Sequence, residues 1–253
     1  MMNIKSDIPY TTQLFSIVID TIKLIIENEG KSIQRAALMI TKSITDGGVV
    51  HIFGSGHSHL FAEDISYRAG GLVPVNPILD IGYTLIGGPP SRSSRLERLE
   101  GFASALLDGY EFYPGEVFIV MSQSGRNPGP VEAALYAKSK SLQVIAVTAV
   151  EQSKGQSSRH SSGKKLYEIA DLVIDSHVPT GDAAVELQKG QPKVAPISTI
   201  VGSSILQGIV AEVAGLIMEE GEIPPIWLSS NIDGGDEHNK KMADIYKSRI
   251  RSF

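Results

Sequence analysis

The sequence predicts an α/β fold in which helices cover both faces of a parallel sheet, and three observations point to this class. Runs such as 117–121 and 144–148 are short, apolar and rich in β-branched residues, which is typical of strands buried on both faces. These runs alternate with segments whose apolar residues follow helical spacing. Two of the strands, 49–53 and 117–121, run into turns rich in glycine and serine, where folds of this class bind ligands.

Two helices are predicted before the first strand. Residues 11–28 place their apolar side chains at helical spacing, and Gly30 separates them from a second predicted helix over 32–45. Gly47 and Gly48 are expected to end that helix. We expect this N-terminal extension to pack on a dimer interface or to be exchanged across it.

The rest of the chain continues the alternation of strands and helices. The predicted strands cover 49–53, 72–75, 117–121, 144–148 and 172–175. The predicted helices cover a stretch that ends near 69, then 95–108, 130–140, 164–170, 197–220 and 237–250. The segments predicted to be irregular are 76–94, 151–163, 177–195 and 226–236. No internal boundary is evident, so residues 1–253 are interpreted as one domain with a core over about 32–220 and a tail over 221–253.

Composition and charge narrow the function classes. The chain has 253 residues and a formal net charge of −5, which argues against a nucleic-acid partner because such proteins present a basic face. It contains no cysteine, so disulfides and thiolate chemistry are excluded. The N-terminus has no signal-peptide pattern, and no apolar run approaches the roughly 20 residues that span a bilayer. We therefore expect a cytoplasmic protein without a membrane partner.

Two loops carry the residues that are expected to bind an anion. Segments 54–58 and 122–125 each follow a strand and precede a helix, so their backbone N–H groups are free to face an anion. Glycine allows a close approach of the backbone, and serine adds hydroxyl donors. Segment 54–58 lacks the third glycine of a dinucleotide site and the lysine of a P-loop. Asn127 and Pro128 predict a helix start, with Asn127 as its N-cap.

The pairing of these two loops resembles a known family. Ile-Phe-Gly-Ser-Gly-His-Ser at 52–58, together with Val-Met-Ser-Gln-Ser-Gly-Arg-Asn at 120–127, resembles the SIS (sugar isomerase) domain, the family that includes phosphoheptose isomerase. The resemblance covers roughly 32–220. It implies a three-layer α/β/α sandwich with a five-stranded parallel sheet, a sugar-phosphate ligand, and a homodimer or a dimer of dimers. No cofactor is expected.

The resemblance also implies which residues bind the ligand. Those implied to hold the phosphate are Ser55, Ser58, Ser122, Gln123, Ser124, Gly125 and Asn127. Gln123 and Gly125 would contribute backbone N–H groups. Family members usually have Ser or Thr at the position of Asn127, so the phosphate site is expected to be altered there. Ser198 and Thr199, at the start of the predicted helix 197–220, are implied to close over the sugar.

The candidates for proton transfer come from one helix and from the tail. His59 and Glu63 are four residues apart and therefore share one helix face. Phosphoheptose isomerases carry a similar His-x-x-x-Glu with the glutamate as base, which implies Glu63 as base with His59 assisting. Their second histidine lies on the late helix, but 197–220 contains none, so His238 is the remaining candidate. The alternative for the tail is a turn that caps the last helix through Asp236.

Other polar residues have structural interpretations. His57, His59 and Glu63 could ligate zinc, as in some phosphoheptose isomerases, but the late ligand pair is incomplete and we expect no bound metal. His51 lies inside a strand and is interpreted as a core residue.

The leading hypothesis is a phosphosugar isomerase that acts on a ketose, heptose or amino-sugar phosphate. Two alternatives remain open: a non-catalytic module that senses a sugar phosphate, and an etherase or lyase that acts on an N-acetylated sugar phosphate. Regulatory SIS proteins usually carry a DNA-binding domain, and none is visible in this sequence. Abstraction of a different proton, rather than ketose formation, would distinguish the etherase.

Overall fold

The computed structural model describes residues 8–86, 88–250 and 252, and its centre is a five-stranded sheet. The strands are β1 (Val50–Gly54), β2 (Val75–Pro77), β3 (Val117–Met121), β4 (Gln143–Thr148) and β5 (Leu172–Asp175). They lie in the order β2-β1-β3-β4-β5, and every neighbouring pair is parallel. β1 and β3 are buried along their whole length, as expected for strands covered on both faces.

Helices cover both faces of this sheet. They are α1 (Tyr10–Thr45), α2 (His59–Ile65), α3 (Pro90–Glu97), α4 (Phe102–Leu107), α5 (Pro128–Ser139), α6 (Val150–Lys154), α7 (Leu166–Ile169), α8 (Ser198–Glu219) and α9 (Gly235–Tyr246). The core on one face is built with α1, α2 and α8, and the core on the other with α4, α5 and α7. Two short strands, β6 (Ala183–Val185) and β7 (Val194–Pro196), form an antiparallel hairpin. The predicted three-layer α/β/α sandwich is confirmed.

α1 is one continuous helix, so the prediction of two helices separated by Gly30 is wrong. A glycine inside a helix costs only about 1 kcal/mol, and packing of the buried Ala36, Ala37 and Ile40 against the core outweighs that cost. Glu29 lies beside His177, directly after β5, with 3.4 Å between carboxylate and imidazole. The preceding half of α1 therefore extends past the carboxyl edge of the sheet by about 28 Å, at 1.5 Å per residue.

The helix predicted over 95–108 is in fact two helices, α3 and α4. Gly101 lies between them with φ of +88°, a conformation that favours glycine. Glu132 on α5 accepts hydrogen bonds from the N–H groups of Gly101 at 2.7 Å and Ala103 at 3.1 Å. A carboxylate that is 31 residues away in the sequence thus satisfies the first N–H groups of α4.

Other boundaries also differ from the prediction. α2 ends at Ile65 rather than near 69, and the second strand is Val75–Pro77 rather than 72–75. The segments predicted to be irregular contain α6, β6 and the start of β7. The second strand is shifted because tail residues bind the chain ahead of it: Leu72 forms a β-bridge with Ile226.

The tail returns to the amino edge of the sheet, where the strands begin. Besides the bridge to Leu72, the N–H of Val73 donates to the carbonyl of Pro225 at 2.8 Å. Trp227 exchanges two backbone hydrogen bonds with Gly70 and Gly71, and its side chain is buried. The segment is therefore held by β-type pairing and by an aromatic anchor.

Glu116, immediately before β3, ties the end of the tail to the sheet. Its carboxylate accepts hydrogen bonds from the backbone N–H groups of Val49 at 3.0 Å and Tyr113 at 2.8 Å. It also accepts from His51 Nε2 at 3.0 Å and from the guanidinium of Arg249 at 2.7 Å. Burial alone would raise the pKa of Glu116, but the hydrogen bonds from His51 and from the backbone lower it to about 2.

His51 is neutral in this cluster. Asn76 donates to His51 Nδ1 at 3.1 Å, so the proton lies on Nε2 and points at Glu116. Burial lowers the pKa of His51, which favours the uncharged ring. The interpretation of His51 as a satisfied core residue is confirmed.

The low pKa of Glu116 makes stability depend on pH. Its ordinary value is 4.5 and its folded value about 2, so its contribution is fully present above pH 4.5 and is lost as pH falls toward 2. The gap corresponds to about 3 kcal/mol. We expect Glu116→Gln to lower the free energy of unfolding in urea by about that amount at pH 7, and by less than half as much at pH 3.

The matched control is Glu237→Gln, which removes an exposed carboxylate paired with Lys241 on α9. Exposed pairs of this kind contribute little, so we expect almost no loss at either pH. A loss in Glu116→Gln that stays constant from pH 5 to pH 3 would contradict the charged state assigned to Glu116.

Candidate functional site

The two predicted loops meet at one point of the sheet. β1 and β3 are neighbours, and their last residues Gly54 and Met121 are in register. The chain leaves β1 toward β2 on one side, whereas β3 continues toward β4 on the other. The gap between the carboxyl ends of β1 and β3 is therefore the point where strand order reverses, which is where open α/β sheets bind ligands.

The loop after β3 is folded so that its backbone donors are free. Gly125 has φ of +56°, and a Cβ there would lie 2.9 Å from Thr148 Oγ1, so the turn requires glycine. The N–H of Gly125 donates to Ser122 Oγ at 3.2 Å. Within the described ranges, the N–H groups of Gln123, Ser124 and Arg126 have no hydrogen-bond acceptor. Three free donors close together at the start of α5 can surround an anion.

The side chains of this loop differ in their availability. Ser122 is buried and already accepts the hydrogen bond from Gly125, which leaves its own hydroxyl proton free to donate. Ser124 is half-buried, and its hydroxyl has no partner in the part of the chain that the structure describes. The side chain of Gln123 points toward β5, where its Oε1 accepts from Ser176 at 2.9 Å. Gln123 can therefore offer a ligand its backbone N–H rather than its side-chain amide.

The loop after β1 is more constrained. A Cβ on Gly54 would lie 2.0 Å from the carbonyl of Ser58, so only glycine fits. Ser55 is buried and donates its hydroxyl proton to Glu97 Oε1 at 2.9 Å, which occupies the donor predicted for the phosphate. Ser58 is half-buried, and no partner of its hydroxyl lies among the described residues.

His59 and Glu63 are in contact, as their spacing predicts. His59 Nε2 accepts a hydrogen bond from the N–H of Asp80 at 3.3 Å, so the proton lies on Nδ1. That nitrogen donates to Glu63 Oε1 at 2.8 Å. The His59 side chain is 4% exposed and the Glu63 side chain 46%, so a buried neutral histidine orients an accessible carboxylate.

Asn127 begins α5 as predicted, but its side chain does not cap the helix. Its Oδ1 instead accepts a hydrogen bond from Arg159 at 3.0 Å. Pro128 occupies the first position of the helix, where a missing N–H costs nothing. Asn127 therefore connects the loop after β3 to the segment that carries Arg159.

The start of α8 is already occupied by a carboxylate. Asp182 accepts hydrogen bonds from the N–H groups of Ile197 at 3.0 Å and Ser198 at 2.8 Å, and from Ser198 Oγ at 2.6 Å. The predicted sugar contact Ser198 is therefore engaged by a residue of its own chain. Thr199 is exposed, and its hydroxyl has no partner among the described residues.

The structure does not bring His238 to these loops. His238 Nε2 donates to the carbonyl of Ile226 at 2.9 Å, at the amino edge of the sheet. The imidazole lines an apolar cavity of about 700 Å³ together with Ile44 and Ile217, at the carboxyl ends of α1 and α8. Pairing of the tail with Leu72 fixes it at the opposite edge, so His238 does not reach the loops of its own chain, and a catalytic role for His238 stays a prediction.

A zinc site formed by His57, His59 and Glu63 is not assembled. Both ring nitrogens of His59 are engaged, and the exposed His57 lies outside that hydrogen-bonded pair. Across residues 8–86, 88–250 and 252, no group of three or more His, Asp or Glu residues could hold a metal ion. The residues at this edge instead supply hydrogen-bond donors, one oriented carboxylate and arginine side chains.

Sequence reasoning missed Glu97 and Arg159. Glu97 is adjacent to Arg98 near the start of the helix predicted over 95–108, where both read as solvated charges, and Arg159 lies in the serine-rich segment 151–163. Neither has a local signal, because their partners Ser55 and Asn127 are 42 and 32 residues away.

α8 is long and apolar enough to cross a membrane by length and composition alone, with a mean hydropathy of 1.8 in its most apolar window. Its buried residues, which include Ile205, Leu206 and Ile209, pack into the core on the face that also carries α1. The buried side of α8 therefore forms part of the core of the domain.

The chain is similar to known proteins along almost its whole length. A family model described as "SIS domain" matches residues 13–149. A UPF0309 protein from Geobacillus thermodenitrificans is 45% identical over 238 residues, which cover 94% of this chain and 95% of that protein. A UPF0309 protein from Halalkalibacterium halodurans is 44% identical over 239 residues, which cover 94% and 95% respectively.

Solved structures with low sequence identity share the fold. Phosphoheptose isomerase from Neisseria gonorrhoeae superposes with a TM-score of 0.55 at 15% identity, covering 79% of this chain and 95% of that one. The sugar isomerase domain of an RpiR transcription factor from Sphaerobacter thermophilus gives 0.50 at 15% identity, covering 94% and 98%. Vibrio vulnificus NanR complexed with ManNAc-6P gives 0.50 at 12%, covering 95% and 69%. The family match and the close relatives show that this chain belongs to the SIS domain family and is a relative of the UPF0309 proteins.

Proposed function

We propose that this protein binds a sugar phosphate between the carboxyl ends of β1 and β3 and interconverts its aldose and ketose forms. The observation that carries the proposal is the set of free N–H groups at Gln123, Ser124 and Arg126, next to the hydroxyls of Ser122 and Ser124. Phosphate accepts several hydrogen bonds at once, and the start of a helix favours negative charge. The phosphoheptose isomerase fold likeness supports the same substrate class.

Glu63 supplies the base in this proposal. Isomerisation moves a proton from C2 to C1 of the open-chain sugar, while a hydroxyl proton moves from O2 to O1, so the reaction balances without a cofactor. His59 holds one carboxylate oxygen of Glu63 at 2.8 Å, which leaves the second oxygen to face the substrate. His59 then acts as a positioning residue, because its ring is buried and both nitrogens are engaged.

A non-catalytic sensor of a sugar phosphate is the second candidate. The fold likeness to NanR complexed with ManNAc-6P supports it, because that protein binds a sugar phosphate on the same architecture. An etherase or lyase would use the same phosphate site and would direct Glu63 at a different proton. The oriented Glu63 and His59 pair favours an enzyme over a sensor, since simple binding has no need of a positioned base.

We also propose that two copies of the chain associate through α1. Phe15, Ile19 and Ile26 are large apolar residues that are more than half exposed, and their spacing places them on one side of the helix. They lie on the half of α1 that extends past the sheet. Burial of this stripe against a second copy would remove it from water.

Binding of the phosphate can be tested by thermal shift with fructose-6-phosphate, sedoheptulose-7-phosphate and glucosamine-6-phosphate. A ligand at a hundredfold excess over its Kd adds about 2.7 kcal/mol to stability. We expect Ser124→Ala to weaken the best ligand about tenfold, because a hydrogen bond to a charged group is lost. The matched control is Ser139→Ala at the far end of α5. If none of the three ligands shifts the transition at millimolar concentration, the phosphate site is refuted.

The base can be tested with Glu63→Gln on the sugar phosphate that binds. We expect kcat to fall by about 10²–10⁴ while the affinity for the sugar phosphate changes little, because the carboxylate acts on the proton rather than on the phosphate. Asp64→Asn is the control, since Asp64 is the next residue and pairs with Arg68 on the helix surface. Full activity of Glu63→Gln would exclude this base.

The role of His59 can be separated from a merely structural one. His59→Asn keeps a donor near the position of Nδ1, whereas His59→Leu removes it. We expect His59→Leu to lower kcat more than it raises KM, and His59→Asn to restore part of the lost kcat. Equal kcat values in the two variants would contradict the positioning role.

The dimer can be tested by light scattering of the purified chain. We expect the wild type to have the mass of two chains or four, and Ile19→Asp to shift toward one chain because a charge would be buried in the stripe. Leu24→Asp, an exposed leucine on another side of α1, should leave the mass unchanged. A monomeric wild type would refute the association.

A further inference from the structure

The three arginines beside the candidate site form no ion pair with a carboxylate in the described part of the chain. In the described part of the chain, arginine forms ion pairs only at Arg68 and Arg249, both away from the loop after β3. Arg98, Arg126 and Arg159 form none. Arg35, Arg92 and Arg95 also form no ion pair among the described residues, so what distinguishes this edge is that its arginines adjoin the open N–H donors of the loop after β3.

Two of these arginines are attached directly to the loop after β3. Arg159 donates from its guanidinium to Asn127 at 3.0 Å, and its backbone N–H donates to the carbonyl of Arg126 at 2.9 Å. The guanidinium of Arg126 donates to neutral acceptors only, Gln156 at 3.1 Å and Ser157 at 3.4 Å. Its Nε is buried and has no acceptor in the described chain. Both guanidinium groups are therefore held by neutral partners, and their positive charge is not neutralised.

Arg98 completes the group from the other side. Burial and the charges of Arg126 and Arg98 lower the pKa of Arg159, so both charges act on Arg159. The charge of Glu97 opposes this effect. Glu97 also accepts the hydrogen bond from Ser55, so the group adjoins the loop after β1 as well. The group thus adjoins the loop after β3 through Arg126 and Arg159, and the loop after β1 through Glu97.

We propose that Arg98, Arg126 and Arg159 form a subsite for a second anionic group, and that the ligand is a sugar phosphate that carries another phosphate or a carboxylate. This inference rests on the proposed binding of a sugar phosphate. The first phosphate accepts hydrogen bonds from the free N–H groups of Gln123 and Ser124, and the second anion binds the guanidinium groups of the arginines. A guanidinium presents parallel N–H donors that match both carboxylate and phosphate oxygens. A neutral sugar would leave three like charges uncompensated.

The test compares a sugar monophosphate with two ligands that carry a second anion, of which the bisphosphate differs from the monophosphate only in that anion. Fructose-6-phosphate, fructose-1,6-bisphosphate and 6-phosphogluconate are titrated into the full chain by calorimetry at one salt concentration. We expect at least one of the two doubly anionic ligands to bind about tenfold more tightly than the monophosphate. We expect Arg159→Gln and Arg98→Gln to remove that advantage while the affinity for the monophosphate stays within about twofold. Folding of each variant is checked by its thermal midpoint.

The control is Arg35→Gln, which removes one positive charge from an exposed position on α1 and should change no affinity. Equal affinity of the wild type for all three ligands would overturn the second subsite and leave the proposed function intact. A uniform loss of all three ligands in Arg159→Gln would also overturn it, because the arginine would then serve the first phosphate. Binding of no sugar phosphate by the wild type would refute both proposals, and the monophosphate arm identifies that case.

Discussion

Parallel pairing of β1 with β3 is the constraint on which the site depends. The two strands are 63 or more residues apart in sequence, yet their registered ends bring the glycine loops after Gly54 and Met121 to one gap in the sheet. Helices that follow both strands then begin at the same edge, so their first N–H groups face the same space. A sheet with β1 and β3 separated would place the open N–H groups of the loop after β3 away from Ser58, His59 and Glu63, which follow β1.

Carboxylates of the chain occupy several donors at this edge of the sheet, but none occupies the open N–H groups of the loop after β3. Asp182 occupies the start of α8, and Glu97 takes the hydroxyl of Ser55. No carboxylate reaches the N–H groups of Gln123 and Ser124 among the described residues. Buried or half-buried donors are normally satisfied, so open donors next to arginines without ion pairs support the proposed binding of an anion from outside the chain.

Local patterns in the sequence predict those parts of the structure that are determined by residues close together in the chain. The strands and the glycine loops follow from apolar runs and from backbone requirements at positions such as Gly125. The errors come from partners distant in sequence. Glu132 caps α4 from 31 residues away in the sequence. Leu72, which is predicted to lie in a strand of the sheet, instead forms a β-bridge with Ile226 of the tail. The position of the tail cannot be predicted for the same reason, since nothing near His238 in the sequence encodes where Ile226 pairs.

The two edges of the sheet differ in how fully their polar groups are satisfied. This difference explains how the fold stays stable although the candidate site leaves donors open. Open N–H groups and mutually repelling arginines at the carboxyl edge cost stability while no ligand is bound. At the amino edge, Glu116 accepts four hydrogen bonds, and these donors, which include Arg249, stabilise its charge against the cost of burial. The hydrogen bonds of Glu116 do not constrain the carboxyl edge, because the length of the strands separates the two edges of the sheet. The loops can therefore keep unsatisfied donors for a ligand while the opposite edge holds the fold together.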